Sequence, residues 1–273
     1  MDRTEFCTLR EKLLESVRTA RMVLIGVGEE FNEGFRDIGR FPRLMSALKE
    51  VDINPALEWT VPFLEQLYLE RTGDGIQLEA YAKLYELIKD KDYFFITTCI
   101  DGHIRRAGFA LERIVEPCGS YERLQCRAGC CDALYPSEDF TRHVRRALAD
   151  GAGLDTLTQR VCPECGEPLV FNNITVEGKY VEAGYRPQWE RYTKWLQGTL
   201  NKELCILELG VGMSLPDVIR WPFEKIAFYN RKADFFRVNG GIWQMTEELK
   251  DKGISIEMNA VDFLRDCDLS HVN

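Results

Sequence analysis

The chain carries ten cysteines, six of them between Cys118 and Cys165, and these are the side chains best able to do chemistry. Cys162-Pro163-Glu164-Cys165-Gly166 sets two thiolates on a turn that Gly166 lets bend tightly. Cys126 and Cys130 form a second pair, with Cys131 as a neighbouring alternative. Two thiolate pairs complete a tetrahedral shell around Zn2+ with no open position, which is the chemistry of a structural site. A redox pair is the competing reading, but Cys162 does not follow a strand in a thioredoxin-like unit. The 31 residues between Cys130 and Cys162 imply an insertion between the two halves of the site.

Three turns carry the rest of the candidate chemistry: Gly26-Val27-Gly28, Cys99-Ile100-Asp101-Gly102 and Gly210-Val211-Gly212-Met213-Ser214. Each ends a short apolar run: Met22–Ile25, Tyr93–Thr98 and Leu204–Leu209. One such turn is weak evidence, because any tight bend favours glycine. Two in register with an Asp-Gly turn indicate a nucleotide cleft, since ligands of parallel sheets bind beyond the carboxyl ends of the strands. Histidine occurs only at 103, 143 and 271, so few side chains can act as a base near neutral pH. His103 reads as a surface residue of the helix after Asp101.

The elements that must position these turns follow from periodicity. Phe6, Leu9, Leu13 and Val17 predict an amphipathic helix over 3–19. Residues 40–92 read as mostly helical, Arg113–Glu116 as a short strand and Trp189–Leu200 as a helix. Ile226–Tyr229 and Ile254–Met258 are expected as two further strands, with a helix over Trp243–Lys250 between them. The fold class is therefore α/β: a Rossmann-like, doubly wound parallel sheet (1–117 and 187–273) with a small inserted zinc-binding lobe (118–186). Trp189, Tyr192 and Trp195, at helical steps, read as packing between the two parts.

Composition narrows the function classes. With 45% hydrophobic and 29% charged residues the chain can bury a core. It has 44 acidic against 35 basic side chains, a net charge of −9, and so lacks the basic field that nucleic acid or an anionic membrane requires. Lys225, Arg231 and Lys232 form too small a cluster to change this. No apolar run approaches a membrane span, and Met1–Thr8 is too polar for a signal peptide. The expectation is a cytoplasmic protein with reduced thiols.

Taken in order, these motifs resemble the sirtuins: the first glycine turn, Thr97-Thr98-X-X-Asp101-Gly102, Glu116-Pro117-X-Gly119-Ser120, the paired cysteines, and Gly210-X-Gly212-X-Ser214-Leu215. The resemblance runs from about Arg21 to Asp262. Cys162–Phe171, the Trp189 helix and Leu207–Phe223 look most like the macrodomain-linked bacterial sirtuins. It implies an NAD+ domain, a zinc lobe, and transfer of ADP-ribose either to an acyl oxygen (deacylation) or to a protein side chain. The macrodomain-linked branch resembles the second type and implies a protein acceptor, such as a lipoylated carrier protein. Gly26, Gly28 and Gly34 then match the glycines that approach the pyrophosphate. Gly210, Gly212 and Ser214 match a phosphate-proximal turn, Asp101 the residue that orients the nicotinamide end, and Asn230 the one at the adenosine ribose. Cys126, Cys130, Cys162 and Cys165 match the zinc ligands.

Departures from the family set the chemistry. Cys99 stands where the family has Asn, and Cys118 where deacylating members have their general-base His. A thiol is a poor base at neutral pH, so deacylation is disfavoured and ADP-ribosyl transfer remains, with Asp101, Cys118 and Cys99 as its candidate catalytic residues. Glu29, Glu30 and Glu33 stand in a loop that is small and polar in the family, with Arg36, Arg40 and Arg43 following. A carboxylate about 6 Å from a phosphate costs about 2–3 kcal/mol at an effective dielectric near 20. Inward-facing glutamates would abolish NAD+ affinity; outward-facing ones would cost little. The alternative function is a catalytically inactive, sirtuin-fold binding module.

Overall fold

The computed structural model describes residues 3–32, 38–72 and 75–267. Among the described residues nine strands form two sheets: β1 (Met22–Val27), β2 (Asp92–Thr97), β3 (Ile114–Val115), β4 (Gly119–Cys126), β5 (Leu134–Pro136), β6 (Leu169–Asn173), β7 (Leu204–Leu209), β8 (Ala233–Val238) and β9 (Gly253–Ile256). The helices are α1 (Arg3–Thr19), α2 (Pro42–Ile53), α3 (Val61–Thr72), α4 (Ile76–Ile88), α5 (His103–Arg106), α6 (Glu138–Asp150), α7 (Arg186–Gln197), α8 (Arg220–Tyr229) and α9 (Ala260–Arg265).

Six strands lie in the order β3-β2-β1-β7-β8-β9, every neighbouring pair parallel. Chain direction across the sheet reverses between β1 and β7, so the ligand crevice of a doubly wound fold falls there. The central strands are buried on both faces, and their alternate residues separate two cores. Val23, Ile25 and Val27 point toward α1, α4 and α9, where Leu13, Val17, Leu84, Ile88 and Phe263 meet them. Met22 and Leu24 point the other way, toward Tyr192 of α7 and Phe223 and Ala227 of α8.

A third core belongs to the small sheet, β5-β4-β6, which is antiparallel. Leu124, Phe171 and Phe140 of α6 pack there with Leu44 of α2 and Leu64 and Leu67 of α3. Phe63 ties the set together, with ring centroids 4.8 Å from Phe140 and 4.5 Å from Phe171. The helices at 42–72 thus bury their apolar faces against the cysteine-bearing lobe, although the sequence assigns them to the large sheet.

Two other expectations are corrected. Ile226–Tyr229 is the last turn of α8, whose buried Phe223 and Ala227 follow the buried Ile219 just before the helix at steps of four, a helical spacing. The strand is β8, hidden in the sequence by the charged Asp234 and Arg237. No helix forms over Trp243–Lys250; only Leu249 there is buried, and a 3-10 turn at Glu247–Leu249 is all the regular structure. Among the described residues no helix is long and apolar enough to cross a membrane.

Candidate functional site

β4 delivers Cys126 at its last residue, and the chain then turns to Cys130. A bridge between Val161 and Pro168 holds a second turn closed, with Cys162 N donating to Glu167 O at 2.7 Å. Gly166, in the left-handed region at φ 77°, completes that bend. The Sγ atoms of Cys126, Cys130, Cys162 and Cys165 all lie within 4.8 Å of one another. The Cys126–Cys165 and Cys130–Cys162 separations are 3.5 and 3.6 Å, close to the roughly 3.8 Å edge of a tetrahedron of sulfurs around zinc. Four soft donors at tetrahedral spacing fit Zn2+ as a closed site. Cys131 stands outside the cluster and packs against the lobe's core. Partial desolvation raises the Cys162 thiol, but backbone N–H groups of Glu164 and Cys165 outweigh it and bring it down to about 7. The neighbouring thiols raise Cys130 in turn, so the cluster shares protons that a bound cation would displace.

At the carboxyl ends of β1 and β7 the two glycine turns meet each other. Gly28 N donates to Leu209 O at 3.0 Å, and a Cβ on Gly28 would stand 2.5 Å from Val211 Cα. Gly26, inside β1, has room for no side chain because Ile219 and Phe223 press on it. Glu29 and Glu30 turn inward. The Glu29 carboxylate accepts from Ser214 N at 3.2 Å and fills the space a Cβ on Gly212 would need. Glu30 accepts from Gly240 N through Oε1 and from Ala260 N through Oε2, both at 2.7 Å. Its Cβ would lie 2.6 Å from a Cβ on Gly210, which adopts φ 63°. Phe31, fully buried, anchors the turn against Tyr81, ring centroids 5.0 Å apart. Gly34 and Glu33 lie outside the described residues.

Beyond β2 the chain places Cys99, Asp101 and His103 together. Cys99 is buried, its Sγ donating to Gly28 O at 3.2 Å. Burial raises its thiol well above the ordinary range, and Asp101 and Cys118 raise it further. Cys118, after β3, is also buried, and burial with the charge of Asp217 pushes its thiol up to about 12. His103 is not the surface residue the sequence suggests: it is 1% exposed. Its Nδ1 stands 3.4 Å from Asp101 Oδ2 and its Nε2 3.3 Å from Leu69 O. Asp101 Oδ1 also accepts from His103 N at 2.9 Å, so the backbone amide at the start of α5 fixes the carboxylate beside the ring.

Asn230 is not brought to the cleft. It follows α8 at the amino ends of the strands, where its side chain donates to Thr199 O at 3.1 Å and accepts from Lys232 N at 3.1 Å. The asparagine at the crevice is Asn239, directly after β8. Its Oδ1 accepts from Gly241 N and Ile242 N at 2.8 Å each, and its Nδ2 donates to Val211 O at 3.1 Å. Had β8 been recognised, its position after a strand would have marked it. Sequence reasoning also missed Arg220, which donates from Nη2 to Val211 O and Ile242 O, both at 2.9 Å, and so braces two crevice loops.

No known family profile matches the chain. A protein ADP-ribosyltransferase of Staphylococcus aureus is 24% identical over 237 residues, spanning 84% of this chain and 73% of that one. A probable bifunctional ADP-ribose hydrolase/ADP-ribosyltransferase of Fusarium oxysporum f. sp. cubense is 31% identical over 174 residues, spanning 60% of this chain. The match covers only 29% of the Fusarium protein's length. Among solved structures, one of a Sir2 enzyme superposes with a TM-score of 0.52 at 17% identity over 94% of each chain. The fold is that of the Sir2 enzymes.

Proposed function

We propose that this sirtuin-fold chain transfers the ADP-ribose of NAD+ to a protein side chain and does not deacylate. The likeness to protein ADP-ribosyltransferases supports the transfer, and one observation about the crevice carries the choice between the two reactions. The Cys118 thiol, pushed up to about 12, stays protonated at neutral pH, and both ring nitrogens of His103 face protein oxygens. Deacylation needs a base for a ribose hydroxyl. Transfer does not: the acceptor nucleophile bonds to C1′ of the nicotinamide ribose, the bond to nicotinamide breaks, and the acceptor's proton goes to solvent.

In this reading Asp101, held by the backbone N–H of His103, orients the nicotinamide ribose. Gly28, Gly210, Gly212 and Ser214 shape the pyrophosphate side, with Gly26 packed behind them against Ile219 and Phe223 and Asn239 taking the ribose role expected of Asn230. Cys118 and Cys99, both buried, back the crevice as neutral thiols. Zn2+ bound by Cys126, Cys130, Cys162 and Cys165 would supply rigidity to the lobe and no chemistry. Nothing in the described crevice selects a lipoylated carrier, so the acceptor is proposed only as a protein. The test is incubation with labelled NAD+ and a panel of protein acceptors, scoring transfer, nicotinamide release and deacylation of an acylated peptide. Transfer that falls about 100-fold in Asp101→Asn supports the reading; deacylation without transfer overturns it.

A second reading has its own observation. Glu29 and Glu30 occupy the crevice, as a binding module without a dinucleotide would allow. Calorimetric titration separates the two: no heat with millimolar NAD+ or ADP-ribose favours the binding module.

A further inference from the structure

The two inward glutamates are anions seated on backbone N–H groups at the point where a doubly wound sheet receives a ligand's phosphates. We propose that Glu29 and Glu30 are an intramolecular competitor of the dinucleotide pyrophosphate, so that a nucleotide enters only by displacing them. The proposal rests on the reading of the crevice as a dinucleotide site and names how that site is regulated.

Three features carry it. The donors are consumed: Gly240 N and Ala260 N each give their hydrogen to Glu30 at 2.7 Å, and Ser214 N gives its own to Glu29 at 3.2 Å. The space is consumed as well, because the gaps left by the missing side chains of Gly210 and Gly212 are filled by Glu30 and Glu29. Glycines that would admit a phosphate here admit carboxylates. Finally, the charge is consumed. Arg220 feels the charge of Glu29, but its guanidinium already serves Val211 O, Ile242 O and, at 3.3 Å, Glu208. Two carboxylates and a pyrophosphate at one set of donors repel each other, which makes the occupants mutually exclusive.

The geometry also allows release. Glu29 is exposed and Glu30 only half-buried, so neither side chain is locked in a core. Their turn is fixed instead through the backbone, by Glu30 N to Gly210 O at 3.1 Å and Phe31 N to Gly28 O at 3.0 Å, and through the buried Phe31 ring. The side chains can swing outward while the turn stays in place.

The experiment compares wild type with Glu29→Ala/Glu30→Ala, using ADP-ribose as the calorimetric probe. The double variant is expected to bind ADP-ribose at least about tenfold more tightly. Without ligand its Gly240 and Ala260 amides are expected to exchange hydrogen about tenfold faster, and ADP-ribose should restore their protection. Equal affinity in the two proteins, or unchanged exchange at both amides, overturns the competitor. Should the double variant fail to fold, Glu29→Ala and Glu30→Gln singly carry the same comparison, with a smaller gain expected from each. Nicotinamide release from NAD+ is measured in parallel. A variant that gains ADP-ribose affinity but releases no nicotinamide upholds the competitor and overturns the transfer reading; one that gains no affinity overturns the competitor whatever it releases.

Discussion

Arg237 and Glu208 form a two-pronged ion pair within the parallel sheet, Nε to Oε1 at 2.7 Å and Nη2 to Oε2 at 3.0 Å, on adjacent strands β8 and β7. Arg237 is 1% exposed and Glu208 fully buried. Burial raises the Glu208 carboxyl, and Arg237 pulls it back down. Glu224 at 2.7 Å and the Gln244 carbonyl at 2.7 Å complete the shell around the guanidinium. Such a pair is costly to break from one side, because the partner stays buried and charged.

Arg237→Met is therefore expected to destabilise the fold by about 3–5 kcal/mol. Urea unfolding of Arg237→Met/Glu208→Leu should recover much of that loss. A double variant as unstable as the single would show that the pair itself, and not the stranded carboxylate, holds the strands.

Removal of metal by a strong chelator should lower the melting temperature by roughly 5–10 °C, with Cys126→Ser and Cys162→Ser each reproducing the shift. The loss should register in α2 and α3 as well as in the small sheet, because they share one core. An unchanged melting curve together with no zinc by elemental analysis would remove the metal from the lobe.

Cys118 and Cys205 are pushed up to about 12 and Cys267 to about 11, in each case mainly by burial, from an ordinary value of 9.0. Between these values the folded chain keeps protons that the unfolded chain gives up. Stability is therefore intact below about pH 9 and falls as pH rises through that window. Denaturation midpoints from pH 8 upward check the sign. In the native protein at pH 8, alkylation of the buried Cys118 should be negligible, and it should become rapid once the chain is unfolded.

Phe31→Ala removes a fully buried ring beneath the Glu29–Glu30 turn and should cost about 3–5 kcal/mol in chemical denaturation. A cost below about 1 kcal/mol would mean that the turn is not anchored there.

Much of this architecture is legible in the residues themselves. Val23, Ile25 and Val27 alternate with Met22 and Leu24, and that period separates two faces before any coordinates exist. The cysteine spacing likewise points to one cluster, since paired thiols need little beyond local turns to converge. Asn230 was harder. Ile226–Tyr229 is a four-residue apolar run, and such runs fit a buried strand or the end of a helix equally well. Arg237 disguised the true strand because its neutralising partner, Glu208, lies 29 positions away. Helix periodicity says that α2 and α3 bury one face, but not which sheet receives it. The orientation of Glu29 and Glu30 depends on a backbone turn whose partner donors, at 214, 240 and 260, come from two loops and the start of α9.

The chain leaves the large sheet twice, once after β1 through α2 and α3 and once after β3 through β4 and β6, and both excursions knot into the same aromatic core around Phe63. The lobe is consequently sewn on by two independent seams. A swing of the cysteine end against the sheet must strain both, so tension at the thiolate cluster is transmitted to the helices that follow the acidic turn.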